Sequence, residues 1–414
     1  MTNKNVTLTA DSEKILEEIF DPHKEHLKEV IADRLRNNDD LCQDEESCGL
    51  LCAVVWGLTS FVEAMLEQNQ PSTLAELTMN GRNLFHWATL YNQVDIMKVL
   101  SAHDTSLLNL QDPRTQDHAL NMAVRCQHLE AMQLLLAQDN IAVNISGKDS
   151  WTPLYTACFL GFDKGVELLL NHPGIDVNQS SGGDTPLYQA AWKGYDGIVK
   201  LLLQQRNIDV NAEENRVDGE TALFVAASYG RDKVVQHILE HPAVQVNKVD
   251  RTNKATPLHI ASQHGHEEVV RFLLTHGEMD VNWVCESNGA TPLNMAVSHG
   301  HEKVVKLLLA HPDVDVNWAY PLKGLGSLLT SLQIASVMGY AEIVRLLLQH
   351  PDTDPNIATS DGDTALNCAG WAGQRTIIEM ILQDPRLSRD LLTEWCTKYT
   401  AFSHFKIEGQ NTDQ

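Results

Sequence analysis

The chain repeats one alternation of apolar and polar positions. From Thr291 to Asn317 it reads TPLNMAVSHGHEKVVKLLLAHPDVDVN. The apolar positions run through a short segment, stop at a Gly-His corner, resume through a longer segment and end at a proline. This pattern predicts a turn, a short helix, a tight corner, a longer helix and a Pro-stopped exit. The same order recurs from Thr152, Thr185, Thr221, Thr256, Thr330 and Thr364, with weaker copies from Cys48, Asn83 and His118. Successive starts lie 35, 35, 34, 33, 36, 35, 35, 39 and 34 residues apart. A period in the mid-thirties means an array of stacked supersecondary units.

The register holds position by position. Five residues after each start stands an alanine: Ala53, Ala88, Ala123, Ala157, Ala190, Ala226, Ala261, Ala296, Ala335 and Ala369. A small residue at one fixed place marks a close crossing of helices from neighbouring units, where a larger side chain would push them apart. Two residues after each start is Leu, or Phe85 in one copy. Nine residues after it is Gly in eight copies, with Asn92 and Gln127 in the other two. Gly, and less easily Asn, takes the left-handed conformation that ends the first helix. Gln127 suits that place poorly, so the third copy is the one expected to deviate at its corner.

These residues resemble the ankyrin repeat, over roughly Cys48 to Leu382. TPLH at Thr256–His259 and GHEEVVRFLL at Gly265–Leu274 are close to the consensus of that family. The resemblance implies an all-α solenoid of helix-turn-helix units with hairpin fingers. It also implies that Thr-Pro opens the first helix and that Thr and His hold the turn by local hydrogen bonds. One departure is consistent. The second helix exits through His-Pro or Asp-Pro, as at His311-Pro312, where the family commonly has Gly, and an Asn follows 26 residues after the start in every copy from Asn83 to Thr330.

Three parts are therefore expected: an N-terminal helical cap over 1–46, the repeat array over 47–382, and a capping helix with a frayed tail over 383–414. The cap comprises two polar helices broken at Pro22. Such caps keep the ends of an array soluble. The last helix would draw its apolar content from Trp395, Tyr399, Phe402 and Phe405. The gap from Asn317 to Thr330 is the longest finger, and its apolar residues either bind a partner or tuck back over the array.

With 31 Lys and Arg against 55 Asp and Glu, the net charge is −24. That charge repels nucleic acid and acidic membranes. It suits solubility, and leaves a basic protein partner open. The longest apolar run, Gly49–Leu58, is too short to span a bilayer, and MTNKNVTLTADSEK lacks the pattern of a signal peptide. Eight scattered cysteines show neither a disulfide framework nor zinc spacing, which fits reduced thiols in a cytoplasm. His23 and His26 share a helix face that could ligate a metal, but read as surface residues; Cys48 and Cys52 read as packing. HExxH, GxSxG, Walker A and dinucleotide fingerprints are all missing. Neither a metal nor a cofactor is expected.

The resemblance implies a non-enzymatic scaffold, a monomer, that grips a protein through a concave face lined by the short helices. Positions 8 and 9 of each copy point into that face. They bring Trp56, Tyr91, Phe159, Leu160, Trp192 and Tyr229 into one stripe, with Trp318 and Tyr320 of the long finger as a second site. Copies seven and eight offer polar pairs there, Gln263-His264 and Ser298-His299. A bare array also resembles those that intracellular bacteria deliver as effectors, which would place it in a host cytoplasm. The alternatives are an adaptor that recruits a modifying enzyme through its flanks, and an enzyme with an unrecognised site. The flanks are short for a catalytic core of their own.

Overall fold

The computed structural model describes residues 53–69, 78–79, 82–113, 115–214, 218–321 and 327–398. The N-terminal segment 1–46, Cys48, Cys52, the finger tip 322–326, Tyr399, Phe402 and Phe405 lie outside them. The chain divides into two compact units, Met1–Gly182 and Gly183–Gln414.

In the first unit a helical stretch at 53–56 leads into α1 (Thr59–Asn69), then the two-residue strands β1 (Thr78–Met79) and β2 (Arg82–Asn83), which pair antiparallel. Helix pairs follow: α2 (Leu84–Leu90) with α3 (Val94–His103), α4 (Ala119–Arg125) with α5 (Leu129–Leu136), and α6 (Pro153–Leu160) with α7 (Asp163–Leu170). The second unit continues the grammar with α8 (Pro186–Lys193) and α9 (Asp196–Leu203), α10 (Ala222–Ser228) and α11 (Asp232–Leu239), α12 (Pro257–His264) and α13 (Glu267–Leu274), and α14 (Pro292–Ser298) and α15 (Glu302–Leu309). A hairpin of β3 (Ala319–Pro321) and β4 (Leu328–Thr330) precedes α16 (Ser331–Met338) and α17 (Ala341–Gln349). The pair α18 (Ala365–Trp371) and α19 (Arg375–Leu382) and a last helix α20 (Arg389–Lys398) complete it. Within each unit first helices pack on first helices and second on second. The class is all-α, a solenoid of stacked helix pairs.

The alanine seam is where the sequence puts it. Ala53 is 2% exposed, and Ala88, Ala123, Ala157, Ala190, Ala226, Ala261, Ala296, Ala335 and Ala369 are 0% exposed. Each first helix starts at an N-cap. Thr152, Thr185, Thr256 and Thr291 accept from the backbone N–H three residues on, with Pro next in the helix. All ten corner residues have positive φ, including Asn92 (54°) and Gln127 (57°). Gln127 thus departs from expectation: its N–H donates to Val124 O and the His128 N–H to Ala123 O, and this backbone corner forms although glutamine resists the conformation.

Three ladders of side chains join neighbouring repeats to one another's backbone. At the cap, the fourth residue of a repeat reaches the carbonyl just before the next start: Asn121 Nδ2 donates to Trp151 O at 3.0 Å and Gln333 Nε2 to Asp363 O at 2.9 Å, while His259 Nε2 lies 3.2 Å from Ala290 O. At the corner, the residue after the left-handed one reaches back to the preceding first helix. Gln93 donates to Val55 O, Arg231 to Trp192 O, His266 to Ser228 O and His301 to Gln263 O. At the exit, the Asn 26 residues after the start donates to one carbonyl of the next exit turn and accepts from an N–H two residues further. Asn109, Asn144, Asn211, Asn247, Asn282, Asn317 and Asn356 all do this. The His before the exit Pro serves the same turn. His172, His241, His311 and His350 each accept through Nδ1 from the N–H two residues on. The His-Pro style and the fixed Asn are therefore one device.

Two substitutions test this frame by chemical denaturation. Ala296→Leu should overpack the seam and cost about 1–3 kcal/mol; an unchanged midpoint would refute the crossing. Asn282→Ala removes both bonds of one exit rung and should cost about 1–2 kcal/mol, whereas a loss within error would show that the rungs are ornamental to stability.

Candidate partner-binding face

The first helices end in two positions that the stacking leaves open. The ninth residue of the repeat is the more exposed. In the first unit this is Tyr91, 48% exposed, stacked on Trp87 with ring centroids 6.2 Å apart. In the second it is Tyr229, 52% exposed, which meets Trp192 edge-on at 6.3 Å. Trp192 itself is half-buried, and the Lys193 ammonium lies 4.3 Å from its ring centroid. A cation over an indole face at this distance is attracted by the ring quadrupole. Trp56, Phe159 and Leu160 are also half-buried, and Phe159 packs on Trp151 at 4.8 Å. In each unit the expected stripe thus keeps one exposed tyrosine propped by a tryptophan, and the other rings are half-buried.

The long finger divides. Trp318 is 39% exposed and donates its indole N–H to Gly289 O at 2.8 Å. Tyr320 is 4% exposed, with its hydroxyl bonded to Ser298 Oγ. Burial raises the Tyr320 pKa, and the Ser298 bond opposes that. Tyr320 therefore offers a partner almost no surface, which corrects the expectation that it would. It closes the base of the hairpin, in register with Leu329, which is also 4% exposed. Among the finger's apolar residues Leu328 is open, at 55%.

Two exposed residues at the same repeat positions fall outside the expected set: Met338 at 45% and Trp371 at 57%. The spacing that singled out Tyr229 also marks them. Trp371 stands two residues before a bare corner. A methyl group on Gly300 or Gly339 would meet Tyr340 or Gln374 of the next repeat at 3.1 and 2.6 Å, whereas one on Gly373 would meet nothing within 4 Å.

Among the described residues, no group of three or more His, Cys, Asp or Glu side chains is placed to hold a metal. The buried polar groups serve the fold. Tyr188 OH donates to Glu220 at 2.9 Å; burial raises the pKa of both, and the carboxylate adds to the shift on Tyr188. Cys158 and Cys368 are buried thiols, Cys368 pushed up to about 12 by desolvation and the nearby Asp363. Such thiols are protonated and unreactive. No helix of the described residues is long and apolar enough to cross a membrane.

Comparison with known families agrees with this geometry. A model described as "Ankyrin repeats (3 copies)" matches residues 105–181, 178–250 and 223–318, and the single "Ankyrin repeat" model matches 328–360. The chain belongs to the ankyrin repeat family. No curated protein sequence matches it. Among solved structures, the ankyrin repeat domain of Bcl-3, a member of the IkappaB family, is 26% identical with a TM-score of 0.49, over 57% of this chain and 100% of that one. The ankyrin repeat protein EF0377 is 25% identical with a TM-score of 0.43, over 48% and 96%. The human ASB11 ankyrin repeat domain is 24% identical with a TM-score of 0.46, over 56% and 100%.

The ankyrin cap supplies a titrating group. Thr256 N donates to His259 Nδ1 at 3.3 Å, so the ring carries its proton on Nε2, towards Ala290 O. Burial lowers the His259 pKa from 6.5 to about 4. Because the folded value is depressed, the stability it supports is complete above about 6.5 and is lost as the pH falls through about 4. The full shift corresponds to on the order of 3 kcal/mol. Asn294 and Gln333 fill the same cap position without titrating. Urea titrations from pH 7 to about 4 should show stability falling in the wild type and a shallower fall in His259→Gln. Parallel curves would contradict this assignment.

Proposed function

We propose that this ankyrin array is a non-catalytic scaffold that holds a protein partner on the open face of its first helices. The observation that carries the reading is the use of one repeat position in both units, where Tyr91 and Tyr229 stand half exposed and each is braced by a tryptophan. A ring that the fold positions but does not bury is suited to anchor a partner, since Tyr and Trp dominate interface energetics. The occupations of the histidines and buried thiols support a non-enzymatic reading. The buried free thiols suit a reducing cytoplasm. Trp318 and Leu328, open at the base of the long finger, form a second, smaller contact for the same partner. Recruitment through the flanking segments is the alternative.

Affinity capture from cell lysate tests the reading, with the intact chain compared to a Tyr91→Ala/Tyr229→Ala variant. Each substitution should change stability by no more than about 0.5 kcal/mol, as for other exposed positions. Capture of the partner should weaken about tenfold or more. Unchanged capture by a folded double variant would overturn the assignment of this face.

A further inference from the structure

Five consecutive first helices of the second unit, α10, α12, α14, α16 and α18, contain no Asp, Glu, Lys or Arg. The second helices of the same repeats are charged throughout, for instance at Asp232, Lys233, Glu267, Lys303 and Glu342. Composition does not account for the contrast, because the chain carries 31 basic and 55 acidic residues. Burial does not account for it either. Tyr229, His264, His299 and Met338 occupy one exposed position in successive repeats, and Trp371 is exposed one place earlier in the next. Exposed positions of a soluble protein ordinarily take charged residues.

Each of the two histidines is held through Nδ1 by a backbone carbonyl, His264 by the preceding repeat and His299 by its own helix. His264 Nδ1 lies 3.0 Å from Ser228 O, and His299 Nδ1 lies 2.9 Å from Met295 O. A carbonyl oxygen only accepts, so each ring places its proton on Nδ1. In the neutral form of either ring Nε2 is then the acceptor. The first helices of this face thus offer apolar surface at Tyr229, Met338 and Trp371, two imidazoles between them, and no Asp, Glu, Lys or Arg.

We infer that the face from Tyr229 to Trp371 takes a protein segment that is itself uncharged, with apolar side chains against Tyr229, Met338 and Trp371 and hydroxyl or amide donors opposite His264 and His299. This rests on the reading of the first-helix face as the partner site, and adds the chemistry of the partner. A Lys, Arg, Asp or Glu brought against this surface loses its hydration and finds no counter-charge, which is unfavourable. A neutral donor exchanges its water for an imidazole nitrogen at little net cost. The net charge of −24 acts at long range and is screened within about 10 Å at moderate salt, so it does not choose the contacting residues.

The probe is a displayed library of random peptides panned on the full chain, with the enriched peptides then measured by fluorescence polarisation. The expected peptides are near neutral and rich in apolar, Ser, Thr, Asn and Gln residues. Their affinity should change by less than about twofold between ~50 and ~300 mM salt. It should fall about tenfold or more in Tyr229→Ala and Trp371→Ala, and also in His299→Leu, which keeps bulk and removes the acceptor. Lys- or Arg-rich peptides that lose affinity with salt but still respond to Tyr229→Ala would overturn this inference and leave the face as the partner site. Peptides indifferent to all three variants, or no enrichment from a chain with an intact melting transition, would overturn both.

Discussion

Within each unit, the rest of the structure depends on how closely consecutive first helices approach one another. That approach is possible only because the crossing point is an alanine with no exposed surface, from Ala88 through Ala369. Everything else in the repeat follows from the short separation. The corner must turn within one residue and so takes a left-handed conformation. The side chain after it lies over the preceding corner, which is why a methyl on Gly230 or Gly265 would meet His266 or His301 below 3 Å. Once the helices are this close, side chains of one repeat can reach the backbone of the next, and the cap, corner and exit ladders form.

The ladders divide the work of holding neighbours together. Apolar burial is itself non-directional, whereas a hydrogen bond from an amide to a particular carbonyl is directional. The exit asparagines fix the rotation of one repeat against the next by bonding in both directions to one turn. The exit His-Pro pair keeps the turn rigid, with the ring accepting the N–H whose residue also supplies the carbonyl to the asparagine. Stability in such an array is a sum of repeat and nearest-neighbour terms, so the ladders set how sharply damage in one repeat is felt in the next.

The seam, the corners and the caps are legible in the sequence because each is a demand on one residue at a fixed offset. Ala296 and Thr256 stand out by spacing alone, because small size or a hydroxyl is required there. Gln127 defies its own preference because the backbone bonds to Val124 O and Ala123 O close the corner, and a residue's preference carries no record of its neighbours. Asn282 is visible as a constant, but its partners lie in the next repeat, and a period does not show contacts across repeats. The site is less legible than the fold. Spacing locates Tyr229 and Tyr320 equally well, yet one ring is open and the other closes a hairpin, and that difference depends on Ser298 being within reach of the Tyr320 hydroxyl. Trp371 has the same spacing as Trp192. Trp371 is exposed and Trp192 is half-buried, a difference that spacing does not carry.

The fold and the binding surface therefore draw on different residues of the same helices. Inward positions carry the seam and the ladders, and the open end carries Tyr229, His264, His299 and Met338. The decisive comparison places a photo-crosslinking amino acid at Tyr229 in one version of the intact chain and at Lys306, exposed on a second helix, in another, and irradiates both in cell lysate. A discrete adduct from position 229 and none from 306 is the expected result. An adduct from 306 with none from 229 would show that the partner sits on the second helices and that the uncharged face serves another purpose.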